Sequence, residues 1–552
     1  GDVYKRQIWN IDYVTDIARE YKKLCPSVPI WVGGPEVSYE VEAFLRENPY
    51  IDGVMIGEGE DTFRELCGYY AHKRKLSDIA GIAFRKNSTG NSTSNRTSVN
   101  NAGCKADEIV FTSPRPIKNM SEIPFCYDTL DDFSNRIIYY ESSRGCPFSC
   151  SYCLSSVDKT LRFRDTRIVK RELKFFIDQK VPQIKFVDRT FNCNHAHAME
   201  LWRFIKANDN GVTNFHFEIS ADLLNQEELE LISDMRPGLI QLEIGVQSTN
   251  EVTIKEIHRT MKLERLKEVV RLIQSGNNIH EHLDLIAGLP YEDYDSFGRS
   301  FDEIYELKPN QLQLGFLKVL KGSYMFEHAA EYGIVYHDKP PYEVMSTKWL
   351  SFDDVIKIKR VEDMLEVYYN SGQFEITMKL MECIFDSAFE FFQELGDFYE
   401  ANGYFGMSHS RIRRCEILLE FLALYLHGCD NDAMTSVVLS ENDGDRDNTD
   451  FDENAQIYKM IQESLIFDLY YRENCKSRPV WATDIGSFKH MTHAYCKNGK
   501  LSHVEPFHYI FPDKHTRKLD ELPKYHKEPV WALFHYDMRD PLDHQALVEY
   551  VE

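Results

Sequence analysis

Short apolar runs alternate with amphipathic stretches through the first part of the chain. Two runs that carry Ile, Val or Trp and end in glycine predict buried strands, at 29–34 and 52–57. Apolar residues every three to four positions predict the neighbouring helices, at 11–24, 40–47 and 62–73. A hairpin is expected at 82–85 and 109–112, across a polar loop at 87–103. This rhythm indicates a Rossmann-like α/β unit.

From residue 136 the alternation of strand and helix becomes regular. Six buried runs predict strands, at 137–142, 183–190, 215–221, 239–247, 280–287 and 311–319. Helical patterns such as 263–274 and 294–307 lie between them, and repeated β-α units form parallel sheets. Six units predict a partial (β/α)6 barrel, whose active site lies at the carboxyl ends of its strands.

Beyond about residue 349 the strand pattern stops and longer helical patterns follow. They are at 352–369, 374–399, 411–426 and 455–471. We therefore expect an α/β protein in four parts: an incomplete Rossmann-like domain (1–85), a hairpin loop and linker (86–135), a partial barrel (136–345) and a mainly helical domain (346–552). The chain lacks an initiator Met, and residues 1–7 resemble a translated adapter end. We expect that the natural amino terminus lies upstream.

Composition narrows the classes of partner. The 88 acidic and 64 basic residues give a formal net charge of −24, which disfavours binding to nucleic acid because phosphate contacts require Lys and Arg. We find no apolar run of about 18 residues, as a membrane helix requires, and no signal peptide, so we expect a cytoplasmic protein. The 13 cysteines are mostly scattered, but three are clustered.

That cluster is the segment RGCPFSCSYC, which contains Cys146, Cys150 and Cys153 directly after the first predicted barrel strand. Three thiolates in a CxxxCxxC loop can bind three irons of a [4Fe–4S] cluster and leave the fourth iron open. The alternative is a zinc site, but zinc sites usually pair CxxC with a second Cys or His pair, and the nearest histidines, His195 and His197, lie beyond the second predicted strand. The spacing therefore favours an iron–sulfur cluster that binds a further ligand.

The motif, with Tyr152 before its last cysteine, resembles the signature of the radical S-adenosylmethionine (SAM) superfamily. The resemblance covers about residues 136–323. It implies that SAM chelates the open iron and that reductive cleavage yields a 5′-deoxyadenosyl radical. It also implies anaerobic chemistry and a reductant such as flavodoxin or ferredoxin.

Polar residues on the later predicted strands fit this resemblance. In the family, such residues hold the amino, carboxylate and ribose groups of SAM, and the matching positions are Asp188, Glu218, Glu243, Gln247 and Asp284. The segment around Asp188 departs from the family's usual Gly-Gly-Glu form. A polar group on a buried strand needs a partner, which could equally be a neighbouring side chain.

The amino-terminal unit resembles the cobalamin-binding domain that precedes the barrel in one branch of this superfamily. The matching turns carry Gly33, Gly34, Gly57 and Gly59. The whole layout resembles cobalamin-binding radical SAM proteins that end in a helical domain of unknown function. It implies cobalamin-dependent methylation of an unactivated carbon in a small-molecule substrate that the sequence does not identify, and no catalytic residue is assigned.

Two other classes remain open from the sequence. A methylthiotransferase needs three further cysteines in the amino-terminal domain, where Cys25 and Cys67 are too few and too far apart. A non-catalytic iron–sulfur electron carrier would lack SAM contacts on the barrel strands.

Overall fold

The computed structural model describes residues 10–86, 108–427 and 453–551, apart from short gaps at 128, 131–132, 134–135, 158, 497–500, 513–515 and 520. The amino-terminal unit holds a four-stranded sheet, with strands Trp31–Gly33, Gly53–Met55, Ile82–Arg85 and Ile109–Phe111. The first two strands are parallel, and the predicted hairpin completes the sheet as an antiparallel pair. The loop predicted at 87–103 lies outside the described residues.

Helices cover this sheet as the periodicity predicted. They are Ile11–Leu24, Pro35–Ser38, Val41–Glu47 and Gly59–Tyr70. Their apolar sides pack on the strands, with Val37, Leu45 and Val54 fully buried in one cluster. The unit is therefore a small α/β layer structure with its own core.

The six predicted barrel strands form one parallel sheet in which spatial order follows chain order. The strands are Ile138–Tyr140, Gln183–Phe186, Asn214–Ile219, Ile240–Gln247, His280–Ala287 and Gln311–Phe316. The helices between them are Thr166–Asp178, His195–Ala207, Gln226–Ser233, Glu251–Glu256, Leu263–Ser275 and Tyr294–Tyr305. The first and last strands do not pair with each other, so the barrel is open.

Side chains alternate strictly between the two faces of this sheet. On the fourth and fifth strands every second residue is fully buried against the helices, as Leu242, Ile244 and Leu283 are. The intervening residues face the inside of the barrel and are only half-buried. Most of these inner residues are polar, so the inner face is a lined cavity rather than an apolar core.

The carboxyl-terminal region is mainly helical, as predicted. Its helices are Tyr324–His328, Phe352–Leu365, Glu375–Ile384, Ala388–Ala401, Arg411–His427, Glu453–Arg472 and Lys489–Tyr495, with a π-helical turn at Glu366–Asn370. The single helix predicted at 374–399 is in fact two. Ser387 caps the second by accepting a hydrogen bond from the Glu390 amide at 3.0 Å, and Asp302 accepts from the Phe389 amide at 2.8 Å.

A three-stranded antiparallel sheet near the carboxyl end was not predicted. Its strands are Ser502–Phe507, Val530–Arg539 and Ala546–Val551. It packs against the helix Glu453–Arg472, where Phe467 contacts Phe507 and Phe534. Within the described residues, no helix is both long and apolar enough to cross a bilayer.

Glu281 breaks the apolar pattern of the helix-facing side of the sheet. It lies on the fifth barrel strand and is 0% exposed. Burial raises the pKa of Glu281 to about 8, although the nearby Arg517 acts to lower it. The folded protein therefore keeps this carboxyl group protonated at a pH where the unfolded chain has lost the proton.

This difference predicts a loss of stability with rising pH. The contribution of Glu281 is complete below the ordinary pKa of 4.5 and declines as the pH rises through about 8. Replacing Glu281→Gln should leave an uncharged group and remove roughly 2 to 4 kcal/mol of this pH dependence. Comparing the free energy of unfolding by denaturant at pH 6 and at pH 9, for the wild type and the variant, measures this pH dependence.

The exposed Glu47 provides the control, because Glu47→Gln should follow the wild-type pH profile. A profile of the Glu281→Gln variant that matches wild type would show that Glu281 is ionised in the folded protein.

Candidate active site

The three motif cysteines lie on a loop that begins in a short hairpin. Strand Ser143–Arg144 pairs with Arg162–Phe163, and Gly145 follows with a φ of +92°. A Cβ atom on Gly145 would lie 2.6 Å from the carbonyl oxygen of Thr160, so only glycine fits this turn. The sequence thus folds back immediately before Cys146.

Cys146 and Cys150 are buried, Cys153 is half-buried, and none of the three forms a disulfide. Burial raises the pKa of the Cys146 thiol, and the nearby Cys153 and Cys150 thiols raise it further. Across the described part of the chain, no three His, Cys, Asp or Glu side chains, these cysteines included, are placed to hold a single metal ion. In a [4Fe–4S] cluster each thiolate binds a different iron, and three free thiols on one loop with the CxxxCxxC spacing are the donor set that such a cluster takes.

Asp188 anchors the start of this loop. Its Oδ2 accepts a hydrogen bond from the Ser142 amide at 2.9 Å, and its Oδ1 accepts from the hydroxyls of Ser142 and Ser143 at 2.7 and 2.5 Å. The side chain is 1% exposed. We predicted that Asp188 contacts the amino group of SAM; both of its oxygens are instead engaged by this loop, which favours an anchoring role.

Arg259 is a site residue that the sequence reading missed. It follows the helix Glu251–Glu256 and reaches the cysteine loop, with its Nη1 3.9 Å from Cys150 Sγ and 3.4 Å from the Tyr152 hydroxyl. It also donates to the Gly245 carbonyl oxygen on the fourth barrel strand. Its Nε is buried without a partner among the described residues. A fixed cation thus lies beside one of the three thiols.

Glu243 is held by other side chains on the inner face. Its Oε2 lies 2.9 Å from both Lys185 Nζ and His216 Nε2. The hydrogen bond from His216 is the largest influence that lowers the pKa of Glu243, which falls to about 2. Both partners bind Oε2, and the predicted contact of Glu243 with SAM stays a prediction.

Asp284, Glu218 and Gln247 remain available on the inner face. Burial raises the pKa of Asp284 to about 8 and that of Glu218 to about 7. Asp284 Oδ1 and Gln247 Oε1 are buried with no hydrogen-bond partner among the described residues. Buried polar atoms without partners are costly, and a bound molecule is one way to satisfy them.

The glycines predicted to approach cobalamin lie at the carboxyl ends of the first two strands. Gly34 and Gly57 have φ values of +114° and +75°, which favour glycine. Gly59 is the first residue of the next helix, and no atom lies within 4 Å of where a Cβ of Gly57 or Gly59 would stand. A Cβ of Gly33 would meet the Met55 side chain at 3.3 Å, so the position of Gly33 is more tightly packed than those of Gly57 and Gly59. The open space beside Gly57 and Gly59 suits a close approach of a ligand to the backbone.

The second glycine turn is tied to the cysteine loop by ion pairs. Arg144, two residues before Cys146, lies 3.1 Å from Glu58, 3.0 Å from Glu60 and 2.7 Å from Glu141. Arg162 pairs with Glu58 at 2.7 Å. Burial acts to raise the pKa of Glu58, but hydrogen bonds from Lys118, Arg162 and Arg144 together lower it.

The first glycine turn also meets the barrel. Glu36, 7% exposed, accepts a hydrogen bond from the Tyr342 hydroxyl at 2.8 Å. Burial raises the pKa of Glu36. The second glycine turn thus contacts the cysteine loop, and the first contacts the segment that follows the last barrel strand.

Comparison with known families agrees with this arrangement. The radical SAM superfamily matches residues 140–304, the B12 binding domain matches residues 6–67, and a family described as a protein of unknown function (DUF4080) matches residues 330–545. The parallel barrel and its cysteine loop define a radical SAM enzyme. More particularly, the chain is a cobalamin-binding radical SAM protein with a carboxyl-terminal DUF4080 domain. Its cofactors are a [4Fe–4S] cluster, SAM and cobalamin.

Three curated relatives illustrate the range of this family. An uncharacterized methyltransferase of Pyrococcus horikoshii is 23% identical over 62% of this chain and 71% of its own length. The cobalamin-dependent radical SAM methyltransferase TokK of Streptomyces tokunonensis is 26% identical over 54% of this chain and 44% of its own. The anaerobic magnesium-protoporphyrin IX monomethyl ester cyclase of Synechocystis is 25% identical over 46% and 48%. The chain thus spans less than half the length of the latter two.

A solved structure gives the same fold. The cobalamin-dependent S-adenosylmethionine radical enzyme OxsB, with aqua-cobalamin bound, superimposes with a TM-score of 0.50 at 15% identity, covering 84% of this chain and 71% of OxsB. This likeness concerns the arrangement of domains and strands alone.

The position of Arg259 predicts an effect on the reduction potential of the cluster. Removing a positive charge about 5 Å away, at an effective dielectric constant of about 20, should disfavour the reduced cluster by about 3 kcal/mol, or on the order of 100 mV. Replacing Arg259→Met should therefore make the potential more negative, as measured by anaerobic spectroelectrochemical titration. Arg259→Lys should retain most of the wild-type potential.

Arg203→Met, which removes an arginine that is 57% exposed, is the matched control and should leave the potential unchanged. Equal potentials in the wild type and the Arg259→Met variant would contradict a direct electrostatic role.

Proposed function

We propose that this enzyme methylates an unactivated carbon of a small molecule in a cobalamin-dependent radical SAM reaction. The observation that carries the proposal is the ion-paired contact between the two cofactor regions. Glu58 and Glu60 lie in and beside the open glycine turn of the B12-binding domain, and both bind Arg144, which stands two residues before Cys146. This contact would keep the two cofactors on the same side of the barrel.

In this proposal some residues would bind the cofactors, and others would line the space for the substrate. Cys146, Cys150 and Cys153 would hold the cluster, and Gly57 and Gly59 leave room for cobalamin. When bound, the cluster supplies an electron to SAM and cobalamin supplies a methyl group. Substrate would enter the inner face of the barrel.

On that inner face, Asp284 and Glu218 would bind and orient SAM. Their raised pKa values leave Asp284 mostly protonated and Glu218 partly protonated near neutral pH, so they can donate hydrogen bonds to an acceptor or release a proton when a cation binds. The amide of Gln247 offers a further acceptor, since its Oε1 is unpartnered among the described residues. Substrate identity is not set by these three residues.

Methyl transfer is the part of the proposal that most needs a test, because the relatives include proteins named as methyltransferases and as cyclases. The full chain should be reconstituted anaerobically with iron, sulfide, SAM and cobalamin, then reduced. We expect both 5′-deoxyadenosine and S-adenosylhomocysteine by mass spectrometry. 5′-Deoxyadenosine alone would contradict methyl transfer, and the absence of both products would contradict the enzymatic function.

Cys150→Ala should lose the cluster, its iron content and both products. Cys383→Ala, at an exposed cysteine, is the matched control and should retain them. An intact cluster in the Cys150→Ala variant would show that the ligands are misassigned.

The proposed contact of Asp284 with SAM predicts a proton release on binding. At pH 7 Asp284 is mostly protonated, because its pKa is about 8, and the positive charge of SAM should favour the carboxylate. Calorimetric titration of SAM in buffers of different ionisation enthalpy should detect a release approaching about one proton per SAM. Replacing Asp284→Asn should abolish most of it.

The control is Asp178→Asn, at a position 57% exposed on the outer helix layer. If the Asp284→Asn variant binds SAM with the same proton release as wild type, Asp284 does not contact SAM.

A further inference from the structure

One arginine at the carboxyl end of the barrel strands has no bonded partner. Arg189 lies just after the second barrel strand, which ends at Phe186, and its side chain is exposed. In the described part of the chain, no hydrogen bond or ion pair engages its guanidinium group. A guanidinium carries five N–H donors in a planar fork that matches the geometry of a carboxylate. Arg189 can therefore bind an anionic group of a ligand.

The backbone around Arg189 is fixed beside the cysteine loop. The amide of Val187 donates to the Tyr140 carbonyl oxygen at 2.9 Å, which holds the segment against the first barrel strand. The Thr190 hydroxyl donates to the Arg189 carbonyl oxygen at 2.8 Å. The same hydroxyl oxygen lies 3.9 Å from the Sγ atom of Cys146. Arg189 is thus the chain neighbour of a residue that lies against the first cluster cysteine.

Asp188 and Arg189 have opposite environments although they are consecutive. Asp188 is buried, because its carboxylate oxygens accept hydrogen bonds from Ser142 and Ser143. Arg189 is exposed, and its positive charge acts to lower the pKa of Glu218, on the inner face of the third strand. The exposed side chain that this segment offers near the inner face is therefore a guanidinium.

Four other cations that the structure describes near the cysteine loop and the inner face already have partners. Three of them bind carboxylates, and the fourth donates to a backbone carbonyl oxygen. In that order they are Arg144, Arg162, Lys185 and Arg259. An anionic ligand would compete with these existing contacts, whereas it could bind Arg189 without breaking one.

SAM carries one anionic group, the carboxylate of its methionine part, together with an ammonium and a sulfonium group. The inner-face side chains expected to contact SAM are all carboxyl or amide groups, at Glu218, Glu243, Gln247 and Asp284. An ionised carboxyl group repels a neighbouring carboxylate, whereas an arginine binds one through two parallel N–H···O bonds. Those four positions suit the cationic and ribose groups of SAM and leave its carboxylate without a cationic partner.

We propose that the Arg189 guanidinium binds the methionine carboxylate of SAM at the carboxyl end of the barrel strands. Asp188 anchors the cysteine loop, and Arg189, the next residue, holds SAM beside that loop. One short segment after the second strand thus orders the loop that carries the cluster and orients SAM relative to it. This assignment rests on SAM binding alone and does not depend on the proposed methyl transfer.

Isothermal titration calorimetry with SAM tests this proposal on the full chain, reconstituted anaerobically with its cluster and left unreduced. Arg189→Met should weaken SAM binding by about tenfold or more, because a charge-assisted pair is lost. S-Adenosylmethioninamine, which is SAM without its carboxylate, should bind the wild type and the Arg189→Met variant alike. Arg167→Met, at an arginine that is 89% exposed, is the matched control and should bind SAM as wild type does.

Arg189→Lys keeps the positive charge and should bind SAM with an affinity between those of the wild type and the Arg189→Met variant. The iron content and the absorption spectrum of each variant show whether its cluster is intact. The proposal is overturned if Arg189→Met binds SAM as tightly as wild type, if it weakens SAM and S-adenosylmethioninamine equally, or if the Lys and Met variants bind SAM alike. Methyl transfer is tested separately by the yield of S-adenosylhomocysteine.

Discussion

The alternation of side chains along six neighbouring parallel strands is the constraint on which the rest of this structure depends. Because the strands are in register, each inward position adds one residue to a layer across the barrel. His216, Gln241 and His280 form one such layer, at the amino end. Further along, Gly245 is in register with Asp284. The chemistry a bound molecule meets thus depends on its depth in the barrel.

Environment gives the carboxylates of one inner face opposite protonation states. Glu243 lies 2.9 Å from Lys185 and from His216, which together hold its pKa at about 2. Asp284, on the neighbouring strand, has no such partner, and burial raises its pKa to about 8. Carboxyl groups whose pKa values are driven apart in this way can fill different roles in one site. Glu243 organises the cavity wall, whereas Asp284 can respond to a bound charge.

Local patterns in the sequence were sufficient to predict the barrel strands and the cysteine loop. Buried apolar runs predicted all six barrel strands, because a buried strand appears in the sequence as a short run of mostly apolar residues. The orientation of Asp188 was not predictable in this way, because the second strand ends at Phe186, short of the predicted 190, and the chain then turns toward Ser142. Arg259 could not be found either, because its contact with Cys150 joins residues 109 positions apart.

The carboxyl-terminal sheet illustrates the same limit. Its strands Ser502–Phe507 and Val530–Arg539 pair across a long connection, and no tight turn signals the pairing. The division of the predicted helix at 374–399 also depended on a distant group, since Asp302 of the barrel accepts from the amide of Phe389. Long-range hydrogen bonds, rather than local propensity, decided both features.

The ion pairs of Arg144 have a consequence for how the protein matures. This arginine precedes the first cluster cysteine and binds Glu58 and Glu60 of the amino-terminal domain. Docking of that domain and ordering of the cysteine loop therefore stabilise one another, and thermodynamic linkage makes the effect reciprocal. We therefore expect insertion of the iron–sulfur cluster and docking of the amino-terminal domain to favour one another during assembly.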